Sequence, residues 1–252
     1  MTKPRVLIPV ALGTNRDHDL ASAFELAGAD AHVVPLSALR SGEVRLDEFQ
    51  ILGVPGGFSY GDALGAGRLF GLDLAGWFGD QLHAAVDRQT PIIGICNGFQ
   101  ALVRSGILPG PGHTAVLARN ALGDFECRWV ELEPVTMHSV WTEGLIEPLR
   151  CPIAHGEGRF VSGDLDALNE AGQVAFRYLS TDGSAADGCY PANPNGSVGD
   201  VAGVCDATGF VLGLMPHPED HVLSRQDPLR GRNGAGAGRC LDLFKAGVKA
   251  VA

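Results

Sequence analysis

Short apolar runs alternate with amphipathic stretches through the first hundred residues of the chain. Arg5 to Val10 and His32 to Pro35 read as strands, with an amphipathic helix from Asp17 to Ala27 between them, and Phe49 to Pro55 reads as a further strand. Asp62 to Asp87 follows as one long helix carrying Leu69, Phe70, Leu74, Trp77, Phe78 and Leu82. Pro91 to Ile95 returns to strand. Runs this apolar belong to strands buried on both faces. Their alternation with helices predicts an α/β fold built on a doubly wound, mostly parallel sheet. Ligands of such sheets bind at the carboxyl ends of the strands, and both Gly56-Gly57 and Cys96 stand at strand ends.

The second half is richer in strands: Glu126 to Glu133, Pro152 to Ala154, Val174 to Ser180, Ala202 to Val204 and Phe210 to Leu214. Cys205 to Gly209 reads as a hairpin turn that delivers the last strand into His217. Residues 182–200, rich in Gly, Pro and Asn, predict a long loop. The glycine-rich stretch 231–238 has no strand before it, which excludes a phosphate loop and leaves a linker. Leu241, Phe244, Val248 and Val251 predict a closing helix that docks on the sheet. No repeat and no boundary divides the chain, so residues 1–252 are expected to form a single domain.

Composition narrows the classes. The chain has 252 residues, 45% hydrophobic, with 35 Gly and 15 Pro, as in a turn-rich globular protein with a substantial core. A net charge of −10 argues against a nucleic-acid partner. The four arginines between Arg225 and Arg239 read as a solvated loop. No apolar run is long enough to span a bilayer. The six cysteines form no Cys-x-x-Cys pair, and no signal sequence precedes the first strand, which together point to reduced thiols in a cytoplasmic protein. The histidines lack metal-ligand spacing, and His217-x-x-x-His221 alone is too little for a zinc site, so no metal is expected.

Two segments carry chemistry. Gly94-Ile95-Cys96-Asn97-Gly98 ends an apolar strand on a cysteine and turns at once into a helix, the cysteine counterpart of a nucleophile elbow. Met215-Pro216-His217-Pro218-Glu219 supplies a histidine and, two residues on, a carboxylate to orient it. A lone buried cysteine is commonly a small core hydrophobe, and a histidine between prolines is commonly a turn residue. Together they gain force, because a nucleophilic cysteine needs a base and the base needs an orienter. Attack on a carboxamide makes an oxyanion that needs preorganised N–H donors. The bare backbone of Gly56-Gly57 and the Asn97 amide are candidates, although Gly56-Gly57 also reads as an ordinary strand-to-loop turn. The helix start beyond Cys96 favours negative charge on the sulfur.

With these residues in view, the chain resembles the class I, triad-type glutamine amidotransferases. The narrower resemblance is to the branch formed by the glutaminase subunits of phosphoribosylformylglycinamidine synthase, in purine biosynthesis. It rests on Pro55-Gly-Gly-Phe-Ser-Tyr-Gly-Asp62, Cys96-Asn97-Gly98, Phe125-Glu-Cys-Arg-Trp129, Ala154-His-Gly-Glu-Gly-Arg-Phe160 and Tyr190-Pro-Ala-Asn-Pro-Asn-Gly-Ser197. The resemblance implies a flavodoxin-like sheet, Cys96 as nucleophile, His217 as general base and acid, and Glu219 as orienter. It implies oxyanion donors from the backbone of Gly57 and Asn97, and glutamine contacts from Gln100 and from His155, Gly156 and Glu157. It implies no cofactor in this chain, with ATP and Mg on a separate synthetase subunit that receives the ammonia, often together with a small third subunit. Leu122, Asp124 and Asp220 depart from the usual pattern at positions that bear on the partner surface.

Three rival readings stay open on the sequence. One is the glutaminase of another class I amidotransferase. Another is a cysteine hydrolase or peptidase of related fold. The third is a non-catalytic, redox-sensing protein with the same sheet, which would not need His217-x-Glu219.

Overall fold

The structure is a computed structural model that describes residues 2–229 and 238–251. The elements run β1 (Arg5–Val10), α1 (Asp17–Leu26), β2 (Asp30–Pro35), α2 (Leu36–Ser41), β3 (Ile51–Val54), α3 (Arg68–Asp87), β4 (Ile92–Ile95) and α4 (Asn97–Arg104). The second half continues β5 (Ala115–Ala118), β6 (Glu126–Pro134), β7 (Leu149–His155), β8 (Arg159–Ser162), α5 (Leu165–Glu170), β9 (Val174–Leu179), β10 (Val201–Cys205), β11 (Val211–Leu214) and α6 (Leu241–Lys249). One large sheet has the order β2-β1-β3-β4-β11-β10-β9-β6-β7, and β5 pairs with β8 apart from it.

From β2 to β11 all neighbours are parallel. This is the doubly wound order of a flavodoxin-like sheet, with its switch point between β1 and β3. Beyond β11 the sheet turns antiparallel, through β10, β9, β6 and β7. The four-residue strands β3, β4 and β11 are buried throughout, as their unbroken apolar sequences require. Their carboxyl ends lie side by side, Ile95 opposite Leu214 and Val54 opposite Gly94, so the loops that follow them converge. Phe24 of α1, Trp141 and Phe244 of α6 pack edge to face behind the sheet.

Several boundaries differ from expectation. The long helix begins at Arg68, not Asp62. Tyr60, Asp62 and Leu64 all take positive φ, interleaved with Gly61, Gly65 and Gly67, and such a chain cannot be α-helical. Phe49 lies outside β3, buried beside a 3-10 turn, Leu46–Glu48. β7 is longer than Pro152 to Ala154, because seven of its residues pair with β6. Helices α2 and α5 and the β5–β8 pair are short and carry no periodic signal. The loop 182–200 is ordered by buried amides: Asn193 accepts from the Gly196 and Ser197 N–H groups, and Asn195 donates to Gly158 O and Tyr178 Oη. Residues 231–237 of the expected linker lie outside the described residues.

Candidate active site

β4 ends at Ile95 and α4 begins at Asn97, which leaves Cys96 alone to make the turn. It does so with φ 49° and ψ −105°, a strained conformation for a residue with a Cβ. The flanking glycines make this possible. A Cβ on Gly98 would stand 2.0 Å from the Val54 carbonyl oxygen, and one on Gly94 would stand 2.6 Å from Leu102 Cδ1. The first turn of α4 therefore lies directly on the end of β3. The Cys96 N–H donates to Leu214 O at 2.8 Å, which ties the elbow to β11.

His217 follows β11, its N–H donating to Pro152 O of β7 at 2.8 Å. Pro218 then opens a 3-10 turn, Pro218–His221, that swings Glu219 back under the ring. Glu219 Oε1 lies 2.7 Å from His217 Nδ1, and both side chains are buried. The imidazole is also close enough to Cys96 to feel its charge. Burial alone disfavours the imidazolium, but the charges of Glu219 and Cys96 outweigh it and hold the His217 pKa well above the ordinary histidine value. Cys96, His217 and Glu219 thus form a line of thiol, imidazole and carboxylate at the carboxyl edge of the sheet.

Two small cavities, each of about 140 Å³, meet at Cys96. The first is lined by Asp62, Ala66, Gln100, Phe125, His155, Gly156 and Glu157. The second is lined by Asn15, Arg16 and His217. Gly57, Phe58, Cys96 and Ala154 border both. A Cβ on Gly56 would come within 2.8 Å of His217 Cε1 and 3.5 Å of Cys96 Cβ, so only glycine leaves room between His217 and Cys96. Gly57 has φ +122°, and a Cβ there would meet the Asn15 backbone nitrogen at 2.6 Å. Asn97 is the first residue of α4, where a backbone N–H has no intrahelical acceptor.

The Asn97 side chain fixes this arrangement. Its Oδ1 accepts from the Ser59 N–H at 3.2 Å and from the Ser59 hydroxyl, and its Nδ2 donates to Asp62 Oδ1 at 3.0 Å and Gln100 Oε1 at 3.1 Å. Gln100 in turn donates to the Glu157 carbonyl. Gln100 therefore lines the cavity as part of its wall, with its amide already engaged. His155 is also built in: its ring lies against Asn120 Oδ1 at 3.1 Å, and burial together with the charge on His217 pushes its pKa down to about 3. Gly156 lines the same wall, its carbonyl accepting from the Asn120 N–H at 2.9 Å. Glu157 Oε2 accepts from the Ala66 N–H at 3.2 Å.

The sequence did not single out Asn15, Arg16, Asp62, Ala66 or Phe125 as lining residues. The switch-point rule carried a usable signal for Asn15 and Arg16, which lie in the loop after β1. Asp220 pairs with Arg16 at 3.3 Å within the chain, beside the second cavity. Burial and the neighbouring Glu219 raise the Asp220 pKa to about 6. Among the described residues no group of histidine, cysteine and carboxylate side chains could hold a metal ion. No described helix is long and apolar enough to cross a membrane.

A cysteine elbow facing a histidine–carboxylate pair on this sheet fits a triad glutamine amidotransferase. The chain matches the CobB/CobQ-like glutamine amidotransferase domain over residues 3–251 and belongs to that family. It is 46% identical to the phosphoribosylformylglycinamidine synthase subunit PurQ of Treponema denticola, across 99% of both chains. It is 43% identical to the same subunit of Dehalococcoides mccartyi, across 90% of this chain and 89% of the relative. In the structure of PurLQS from Thermotoga maritima, one chain matches over the full length of both, with a TM-score of 0.77 and 31% identity.

Proposed function

We propose that this chain is the glutaminase subunit of a phosphoribosylformylglycinamidine synthase, with Cys96, His217 and Glu219 as its catalytic residues. The observation that carries the reading is the Cys96–His217–Glu219 line at adjoining strand ends, in a chain that matches such subunits along nearly its whole length. The Cys96 thiolate adds to the side-chain carboxamide carbon of glutamine. The oxyanion is received by the backbone N–H groups of Gly57 and Asn97. The imidazolium of His217, held charged by Glu219, gives its proton to the departing nitrogen, the C–N bond breaks and ammonia leaves. His217 then takes a proton from water, hydroxide adds to the γ-glutamyl thioester, and glutamate and the thiolate are released.

No step needs a cofactor on this chain. The energy-requiring amination, with ATP and Mg, belongs to a synthetase subunit that uses the ammonia to convert formylglycinamide ribonucleotide to the amidine. A small third subunit completes the assembly, in the cytoplasm. Free turnover would squander glutamine, so the chain is expected to be nearly idle alone and active when its partner is loaded. The test measures glutamine-dependent and ammonia-dependent synthesis by the reconstituted complex. Cys96→Ala should abolish the first and spare the second. A Cys96→Ala chain that keeps near wild-type glutaminase activity would overturn the assignment. A wild-type chain at full speed without its partner would overturn the coupling.

A further inference from the structure

We propose that Arg16 and Asp220 are a positioning pair, which sets the loop carrying the oxyanion donor Gly57 against the turn carrying Glu219. The proposal rests on the glutaminase reading of the site and goes beyond it, because neither residue belongs to the triad or to its N–H donors. Arg16 Nη1 donates to Asp220 Oδ1 at 3.3 Å and to Asp19 Oδ2 at 3.0 Å. The guanidinium is thus anchored on the first turn of α1 while it reaches across to the end of the chain's last strand.

On one side, Arg16 closes the loop that follows β1. That loop runs along the segment after β3: Thr14 and Gly57 form an antiparallel bridge, the Phe58 N–H donates to Gly13 O at 3.3 Å, and the Tyr60 N–H donates to Leu12 O. The fit is tight. A Cβ on Gly13 would stand 2.3 Å from the Phe58 carbonyl oxygen, and one on Gly57 would meet the Asn15 nitrogen. A shift of residues 12–16 is therefore passed on to Gly57.

On the other side, Asp220 follows Glu219 in the turn Pro218–His221, and its N–H donates to His217 O at 3.2 Å. Other ties of this turn run elsewhere. The His217 N–H donates to Pro152 O of β7, and His221 O accepts from the Cys240 N–H just ahead of α6. Those bonds hold the turn to the antiparallel half of the sheet and to the closing helix. The Arg16–Asp220 contact holds it to the parallel half, where β1 and β3 end. Glu219 and Asp220 repel each other as adjacent carboxylates, and Arg16 is a cation that both feel. With Glu219 turned to His217, the guanidinium steadies the second acid. The Arg16 side chain is 37% exposed and that of Asp220 17%. Partly exposed ion pairs add little to stability, whereas a misplacement of about 1 Å in a reacting geometry costs on the order of 10²-fold in rate. The pair therefore acts on rate more than on the fold.

The test measures ammonia release from glutamine in the reconstituted complex, with the synthetase subunit saturating. Asp220→Ala should lower kcat about tenfold and leave the KM for glutamine and the Tm near those of the parent. Alkylation of Cys96 by iodoacetamide, followed on its own peptide, should keep its rate, because that displacement makes no oxyanion. Asp220→Glu keeps a carboxylate and should recover most of the turnover. Arg16→Ala should also lower kcat, and the double variant should be no slower than the slower single one, as for two residues acting as a unit. Should Asp220→Ala not fold, Arg16→Ala with Arg16→Lys as its conservative partner carries the same test. Unchanged kcat in both alanine variants, or losses that multiply in the double variant, would overturn the proposal. Alkylation slowed as far as turnover would also overturn it, since Asp220 would then act on the charge of the imidazole and not on position. Cys96→Ala is the separate control: if it still turns over glutamine, the glutaminase reading fails rather than the pair.

Discussion

Glu219 gives one oxygen to His217 and buries the other, Oε2, without a hydrogen-bond partner among the described residues. A carboxylate stripped of water costs stability, but its pull on the neighbouring imidazolium is not diluted by solvent. That is the physical reason a two-residue Pro-spaced motif can set the charge of the base. Removing the imidazole should therefore cost more than removing the charge behind it. His217→Ala is expected to lose at least ~10²–10⁴-fold in kcat. Glu219→Gln keeps the shape and should lose less, because the ring can still reach Cys96. Steady-state ammonia release from the complex checks the order, and a Glu219→Gln loss exceeding that of His217→Ala would contradict it. That these three side chains would meet was legible in the sequence, because acyl transfer demands particular side chains at a sharp turn and between prolines. Asp62 and Arg16 were not, since nothing in local periodicity tells which loop residue a sheet edge will gather.

At the scale of elements, residues 62–67 of the loop between β3 and α3 read as helix in the sequence because their apolar residues continue the spacing of α3. The three non-glycine residues at positive φ decide otherwise, and the Asn97 side chain holds this loop at Ser59 and Asp62. The residue after the nucleophile thus ties the turn carrying Gly57 to the elbow. Asn97→Ala leaves the backbone donor of residue 97 in place and unties the loop from Ser59 and Asp62. One misplaced oxyanion donor costs about 10²–10³ in rate, so kcat should fall into that range while Cys96 keeps its reactivity toward iodoacetamide. Unchanged kcat in Asn97→Ala would mean that the loop is held by its backbone alone. The parallel core, by contrast, was well marked: β1, β3, β4 and β11 are all short, apolar and bounded by turn residues. The added antiparallel strands were seen as strands, but their joining to one sheet follows from pairing across distant segments, which sequence spacing does not encode.

For the molecule as a whole, one hydrophobic cluster runs from Val6 to Val248 across both halves of the sheet. We therefore expect residues 1–252 to melt as one domain, in a single calorimetric transition, and two separable transitions would refute this. Acid should weaken the fold through His155. Its pKa of about 3 in the fold lies below the ordinary 6.5, so below that higher value the unfolded chain takes up a proton that the folded one refuses. Stability is accordingly lost as pH falls from about 6.5 toward 3. Asp220, raised to about 6, acts in the opposite sense and favours the fold in mild acid. His155→Gln should thus show a shallower fall in Tm between neutral and acidic pH than the parent chain, and an unchanged fall would remove His155 as its cause. The adjacency of β4 and β11 has a consequence for biosynthesis. Ile92–Ile95 takes Val211–Leu214 as its parallel neighbour, so Cys96 and His217 follow touching strands that leave the ribosome far apart in time. A nascent chain that has emerged only as far as β10 carries Cys96 with no base beside it and cannot consume glutamine. It also shows an open apolar edge on β4, an invitation to pair with another chain. The same topology that delays the chemistry until β11 has been made leaves that edge of the unfinished polypeptide open.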